Sequence, residues 1–217
     1  NRAQITRAVS LVLGGRQSLC YTLGMAIMFG SILSYVGMVQ QIFQDVFRRP
    51  GLMPGVFALC ASSMAVMSFL NSRIVERFGM RAISQTGLFV FIGMTALHVL
   101  VIGLGLERLW TFVLLQAVTM SCLGLTGSNF GAMALEPVGS VAGVGASLQG
   151  FISTTGGAVV GAVTGKWFSG STMPLALGAL LCGLSSLALV VYAERGRLFN
   201  PHHSDPAPPR VAAETPG

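Results

Sequence analysis

Residues 109–135 read LWTFVLLQAVTMSCLGLTGSNFGAMAL, without one aspartate, glutamate, lysine, arginine or histidine. An apolar helix of about 20 residues crosses the hydrocarbon layer of a bilayer, and this stretch exceeds that length. It is too long and too continuously apolar for one of the short alternating strands of a membrane barrel. In hydrocarbon each backbone polar group must find its partner within the protein, so the stretch is read as a transmembrane helix.

Outward from it in both directions, five more runs share the character: 19–43, 54–71, 83–106, 141–167 and 173–192. The first is ended by Asp45, Arg48, Arg49, Pro50 and Gly51, and the second is followed by Arg73, Glu76, Arg77 and Arg81. The whole chain of 217 residues is 53% hydrophobic and 9% charged, with mean hydropathy +0.72. A soluble domain carries about 25% charged residues, so water is not the solvent for most of this chain. The 28 glycines would weaken helices in water, but small residues are favoured where helices pack closely in lipid. The expected fold is an all-α membrane protein with six transmembrane helices over residues 19–195. Residues 1–18 mix Arg2, Arg7 and Arg16 with Ile5, Val9, Leu11 and Leu13 and are read as a basic interfacial linker. Residues 196–217, proline-rich from Pro201 to Pro216 and containing His202 and His203, are read as a disordered cytoplasmic tail.

With six crossings both termini share one side. If that side is the cytoplasm, nine arginines lie inside (Arg2, Arg7, Arg16, Arg73, Arg77, Arg81, Arg195, Arg197 and Arg210), against Arg48, Arg49, Arg108 and Lys166 outside. The positive-inside bias therefore places both termini in the cytoplasm of an inner (cell) membrane protein. Trp110 and Trp167 fall at the outer boundary, where aromatic rings favour the headgroup layer. The net charge of +6 is spread over span ends rather than gathered into a patch, so nucleic acid is not an expected partner; the lipid bilayer is. Cys20, Cys60, Cys122 and Cys182 sit singly within apolar runs, and no metal site or cofactor is expected. The chain begins at Asn1 rather than methionine, and a missing beginning, lost by processing or truncation, is expected.

The acidic residues are Asp45, Glu76, Glu107, Glu136, Glu194, Asp205 and Glu214, none at the middle of a span. His98 is the one ionisable group at depth, read as a neutral, hydrogen-bonded histidine on a supporting helix. Proton coupling normally uses an intramembrane ionisable group, so a principal coupling carboxylate is expected outside this chain. No catalytic residue or enzyme activity is expected: Gly145-Ala146-Ser147 is followed by Leu148 where a serine-protease motif needs glycine, and His98 shows no partner in sequence.

Between the second and third spans lies Asn71-Ser-Arg73-Ile-Val-Glu76-Arg77-Phe-Gly79-Met-Arg81. Its Arg77-x-Gly79-x-Arg81 spacing resembles the cytoplasmic signature loop of the major facilitator superfamily, in its carboxyl-half copy. A second stretch, Asn129-Phe-Gly-Ala-Met-Ala-Leu-Glu136-Pro137-Val-Gly139-Ser-Val-Ala-Gly143 and onward through Ser147, Gln149, Gly150 and Ser153 to Gly156-Gly157, resembles the tenth-to-eleventh helix region of Bcr/CflA-type multidrug transporters. The resemblance covers nearly the whole chain and implies helices seven to twelve of a twelve-helix proton antiporter, with two inverted three-helix repeats. It implies as partners protons, a small amphiphilic drug-like substrate and an amino-terminal six-helix half absent here. It also implies that Arg73, Arg77 and Arg81 bond carboxylates and helix carboxyl ends around Gly79.

In that frame the first and fourth spans line the substrate cavity. Ser31, Tyr35 and Met38 share one face of the first, and Gln116, Thr119 and Thr126 one face of the fourth; interhelical packing is the alternative reading of each. Gly157, Gly161 and Gly165 are four apart and form a helix-packing seam, which in a transporter would face the other half; packing within the six-helix half alone is the alternative. The alternative for the whole chain is a self-contained six-helix channel or membrane scaffold, although no selectivity filter, arginine ladder or Asn-Pro-Ala signature is present.

Overall fold

The computed structural model describes residues 2–199; the expected disorder beyond residue 199, with the His202-His203 pair, lies outside the described residues. Among the described residues there is no strand, and the α-helices are α1 (Arg2–Gly14), α2 (Arg16–Gln41), α3 (Met53–Phe78), α4 (Met80–Gly103), α5 (Leu109–Leu135), α6 (Ala142–Gly165) and α7 (Met173–Ala193). A π turn over Ile42–Val46 prolongs α2, and 3-10 turns occupy Pro50–Leu52 and Glu136–Val141. Pro54 and Pro174 stand in the first turns of α3 and α7, where a missing N–H costs nothing and the fixed φ favours the helix. Only Gly79 separates α3 from α4. Its φ of 81° and ψ of 152° lie in a region that glycine alone occupies without strain.

Five segments are long and apolar enough to cross a membrane: Arg16–Val46, Pro50–Phe78, Met80–Gly103, Leu109–Gly139 and Met173–Ala193. The described residues are all-helical between their turns and connections, and the chain is a multi-pass membrane protein. The sixth expected crossing, 141–167, does form a helix, α6, but it is not among the five. Its valines and alanines are interrupted by glycines, by hydroxyl residues and by Gln149. The expected linker 1–18 is likewise structured: it contains α1 and the first turn of α2.

The centre of the bundle is the pair α2 and α5, which pack on each other. Helix α2 also packs on α6 and α7, and α5 on α3 and α4, while α4 and α7 meet behind the central pair. Chain neighbours such as α3 and α4, or α6 and α7, touch little. The pattern maps onto itself when α2, α3 and α4 are exchanged with α5, α6 and α7: α3 on α5 becomes α6 on α2, and α4 on α5 becomes α7 on α2.

Close approach is made by glycine in both matched contacts. On α5, a Cβ at Gly124 would overlap the Met64 carbonyl oxygen of α3. On α6, a Cβ at Gly157 would lie 2.6 Å from Phe29 Cδ1, and one at Gly161 2.8 Å from Leu33 Cβ, both on α2. The same contacts carry buried polar bridges. Asn129 Nδ2 donates to Asn71 Oδ1 at 2.8 Å between α5 and α3, and the hydroxyls of Ser34 and Thr164 pair between α2 and α6. In lipid, dispersion at such seams and interhelical hydrogen bonds replace the hydrophobic drive available in water.

Candidate functional site

A polar cluster closes one end of the bundle, where α2 and α4 begin and α5 and α7 end. Arg81, in the first turn of α4, reaches with Nε to Glu194 Oε1 at 3.0 Å and with Nη2 to Glu136 Oε2 at 3.4 Å. Glu194 caps α7 and Glu136 caps α5, so one guanidinium joins the carboxyl ends of two helices. Those ends carry partial negative charge from unpaired carbonyls, which favours a cation there. Helix α2 supplies further donors. Tyr21 Oη donates to Glu194 Oε1 at 2.7 Å, Gln17 Nε2 to Glu136 Oε2 at 2.8 Å and to Met133 O at 3.2 Å, and Ser18 Oγ to Ala134 O at 2.5 Å. The Arg16 guanidinium lies 5.7 Å from the centre of the Tyr192 ring. The side chains of Arg81 and Glu194 are 11% and 9% exposed, whereas that of Glu136 is 48% exposed. The buried pair is therefore the core of this latch.

Of the basic residues in the signature-like loop, Arg81 alone makes an ion pair among the described residues. Arg73 lies over Phe69 and Arg77 over Phe78 of their own helix. Past Glu194 the chain stays docked as far as Phe199, the last described residue. The Phe199 N–H donates to Gln85 Oε1 at 2.6 Å, its ring stacks on Phe89 at 6.1 Å, and Leu198 packs against the core.

At the opposite end His98 has a partner that its sequence neighbourhood did not show. His98 Nε2 lies 2.9 Å from Glu107 Oε1, and the Thr172 hydroxyl donates to Glu107 Oε2 at 2.5 Å. One carboxylate thus ties α4 to the start of α7, beside the Phe112 ring.

The six residues expected to line a cavity, Ser31, Tyr35, Met38, Gln116, Thr119 and Thr126, are all buried inside the six-helix bundle. Thr119 and Thr126 donate to carbonyls of their own helix, those of Leu115 and Cys122. Helical spacing identified a shared face, but that face looks inward. The open face of α2 carries Ile32 and Val36 instead. With Phe57, Cys60 and Met64 of α3 and Met120 of α5, they border a recess of about 110 Å³. Tyr35 is the one expected residue in its wall, where its ring stacks on Phe57 at 5.9 Å and 8°. The Tyr35 hydroxyl lies beside the Cys60 thiol without reaching hydrogen-bond geometry.

The glycine seam lies within this bundle. Gly157 and Gly161 pack on α2 of the same bundle rather than on an outward face, and Gly165 has nothing within 4 Å of a built Cβ. Sequence reading missed Gln17, Tyr21, Glu136 and Glu194 as members of the latch. Their one signal was that Glu136 and Glu194 are the first acids after long apolar runs. Comparison of the chain with family models, curated proteins and solved structures finds no match.

Proposed function

We propose that the chain is the carboxyl-terminal half of a proton-coupled secondary transporter, a drug-efflux antiporter of major facilitator type. It would contribute one wall of a substrate cavity completed by an amino-terminal six-helix half. The observation that carries this reading is the packing pattern that maps onto itself when the first three bundle helices exchange with the last three. If each helix crosses once, two units of three helices run in opposite senses. Inverted three-helix units nested in a six-helix half are how this superfamily builds alternating access.

Two features of the site support the same reading. The recess between α2, α3 and α5 joins a stacked tyrosine–phenylalanine pair to Met64 and Met120. Such a surface suits varied amphiphilic compounds, because thioethers adapt their shape and rings offer broad contact. The Arg81 latch gathers the ends of α4, α5 and α7, and would hold the cytoplasmic side closed in one state of the cycle. The coupling carboxylate is assigned to the other half, since no acidic residue lies at mid-span here. By the arginine distribution both termini are cytoplasmic, in an inner membrane.

The test is efflux of a fluorescent amphiphilic cation from cells lacking their own pumps, with and without a proton gradient. Gradient-dependent efflux should require co-expression of the chain with an amino-terminal six-helix half. Efflux by the chain alone would refute the half-transporter reading, and an ion conductance by the chain alone would favour a self-contained channel.

A further inference from the structure

Helices α6 and α7 both lie along α2 but touch each other little, because α7 also leans on α4. Between them a groove of about 330 Å³ runs down the outside of the bundle, floored by Ile27 of α2 and Cys182 of α7. Val160 and Val163 form one wall, Leu181 the other, and Trp167 stands at one end. The Thr164 hydroxyl in this lining is already engaged by Ser34 and by the Val160 carbonyl, so the groove presents an almost wholly apolar surface. Its volume reaches the range of about 300 Å³ and above in which pockets hold ligands.

Its direction identifies what fills it. Ile27 in the groove and Val36 in the recess are nine residues apart on α2, about two and a half turns, and so lie on opposite sides of that helix. A second half covering the recess would leave the groove open. The medium around the outer faces of a multi-pass bundle is hydrocarbon, and an unfilled concavity there forfeits dispersion contacts along its whole lining. Trp167 lies in the short connection between α6 and α7, where an indole suits the headgroup layer. Lys166 beside it places a positive charge at the same level.

We infer that this groove is a phospholipid-binding site. It holds one acyl chain against Ile27, Val160 and Leu181, with the lipid phosphate at the level of Lys166 and Trp167. The inference rests on the membrane character of the chain and, in leaving the groove uncovered, on the second half proposed above covering the recess.

The test uses the full chain with Trp110→Phe, so that Trp167 is the one tryptophan, in liposomes mixing ordinary phosphatidylcholine with phosphatidylcholine brominated near the glycerol end of its chains. A chain held in the groove brings bromine beside Trp167, so at any given brominated fraction quenching should be deeper than after Ser185→Phe, a change that fills the groove from its exposed wall. Mass spectrometry of the unmodified, detergent-washed chain should also find one retained phospholipid per chain, a readout that does not depend on the variant folding. Equal quenching of the two proteins at every brominated fraction, together with no retained phospholipid, would overturn the proposal. So would absence of quenching because a second copy or another helix covers the groove.

Discussion

A methyl group added at Gly124, Gly161, Gly157 or Gly165 meets four different surroundings, and stability should fall most at the first and least at the last. At Gly124 the new Cβ would overlap the Met64 carbonyl oxygen and lie 3.2 Å from its carbonyl carbon, both backbone atoms that move only if α3 moves. At Gly161 it would lie 2.8 Å from Leu33 Cβ and 3.3 Å from the Leu33 carbonyl carbon. At Gly157 the nearest atom, at 2.6 Å, belongs to the half-buried Phe29 ring, which can turn, although Gly30 N at 3.2 Å cannot. At Gly165 there is nothing within 4 Å. Alanine favours a helix interior over glycine by about 1 kcal/mol, whereas overpacking costs about 1–3 kcal/mol. The net expectation is a loss of about 2 kcal/mol for Gly124→Ala, about 1 kcal/mol for Gly161→Ala, less for Gly157→Ala and none for Gly165→Ala. Unfolding in mixed micelles, followed by circular dichroism, gives these differences. Equal stabilities, or Gly165→Ala as the worst of the four, would refute the contacts on which the ranking rests. Gly161→Leu should lower folded yield outright, because the seam faces α2. Normal yield with lost efflux would instead return the seam to the interface with a second half.

Arg81→Ala should cost about 2–3 kcal/mol, because it strands the buried Glu194 carboxylate with Tyr21 as its remaining partner. A double-mutant cycle should show stronger coupling of Arg81 to Glu194 than to Glu136, whose exposure screens the pair; equal coupling would contradict the latch geometry. Glu107→Ala should cost about 2 kcal/mol by depriving both His98 and Thr172 of their acceptor, and Glu107→Gln should restore most of it. Unfolding midpoints that do not distinguish these two variants would show that the bridge does not bind α4 to α7.

Helix positions were largely legible in the sequence. Helix α5 was anticipated at 109–135 and occupies Leu109–Leu135, because Glu107 and Arg108 bound it on one side and Glu136 and Pro137 on the other. Helix α3 was expected to end near Asn71 and continues to Phe78. Hydropathy marks where lipid ends, and Arg73, Glu76 and Arg77 leave the lipid while remaining helical. The direction of each face was not legible. The spacing of Ser31, Tyr35 and Met38 reports a common side of α2, yet the apolar and weakly polar residues of a membrane helix do not reveal whether that side meets protein or a cavity. The latch was half visible: Arg81 stood out within the loop, but Glu194 is 113 residues away, and no local pattern relates the two.

The central claim is that six helices cross the bilayer as two oppositely oriented units of three, and it turns on α6, the bundle helix that is not among the five segments long and apolar enough to cross. Single cysteines at Arg49, Arg77, Arg108, Gly139, Lys166 and Arg197 can be probed in intact cells with an impermeant thiol reagent, since the four native cysteines are buried. Labelling at Arg49, Arg108 and Lys166, with protection at Arg77, Gly139 and Arg197, is the predicted outcome. Gly139 and Lys166 reacting alike would mean that α6 does not cross, and the account would fail.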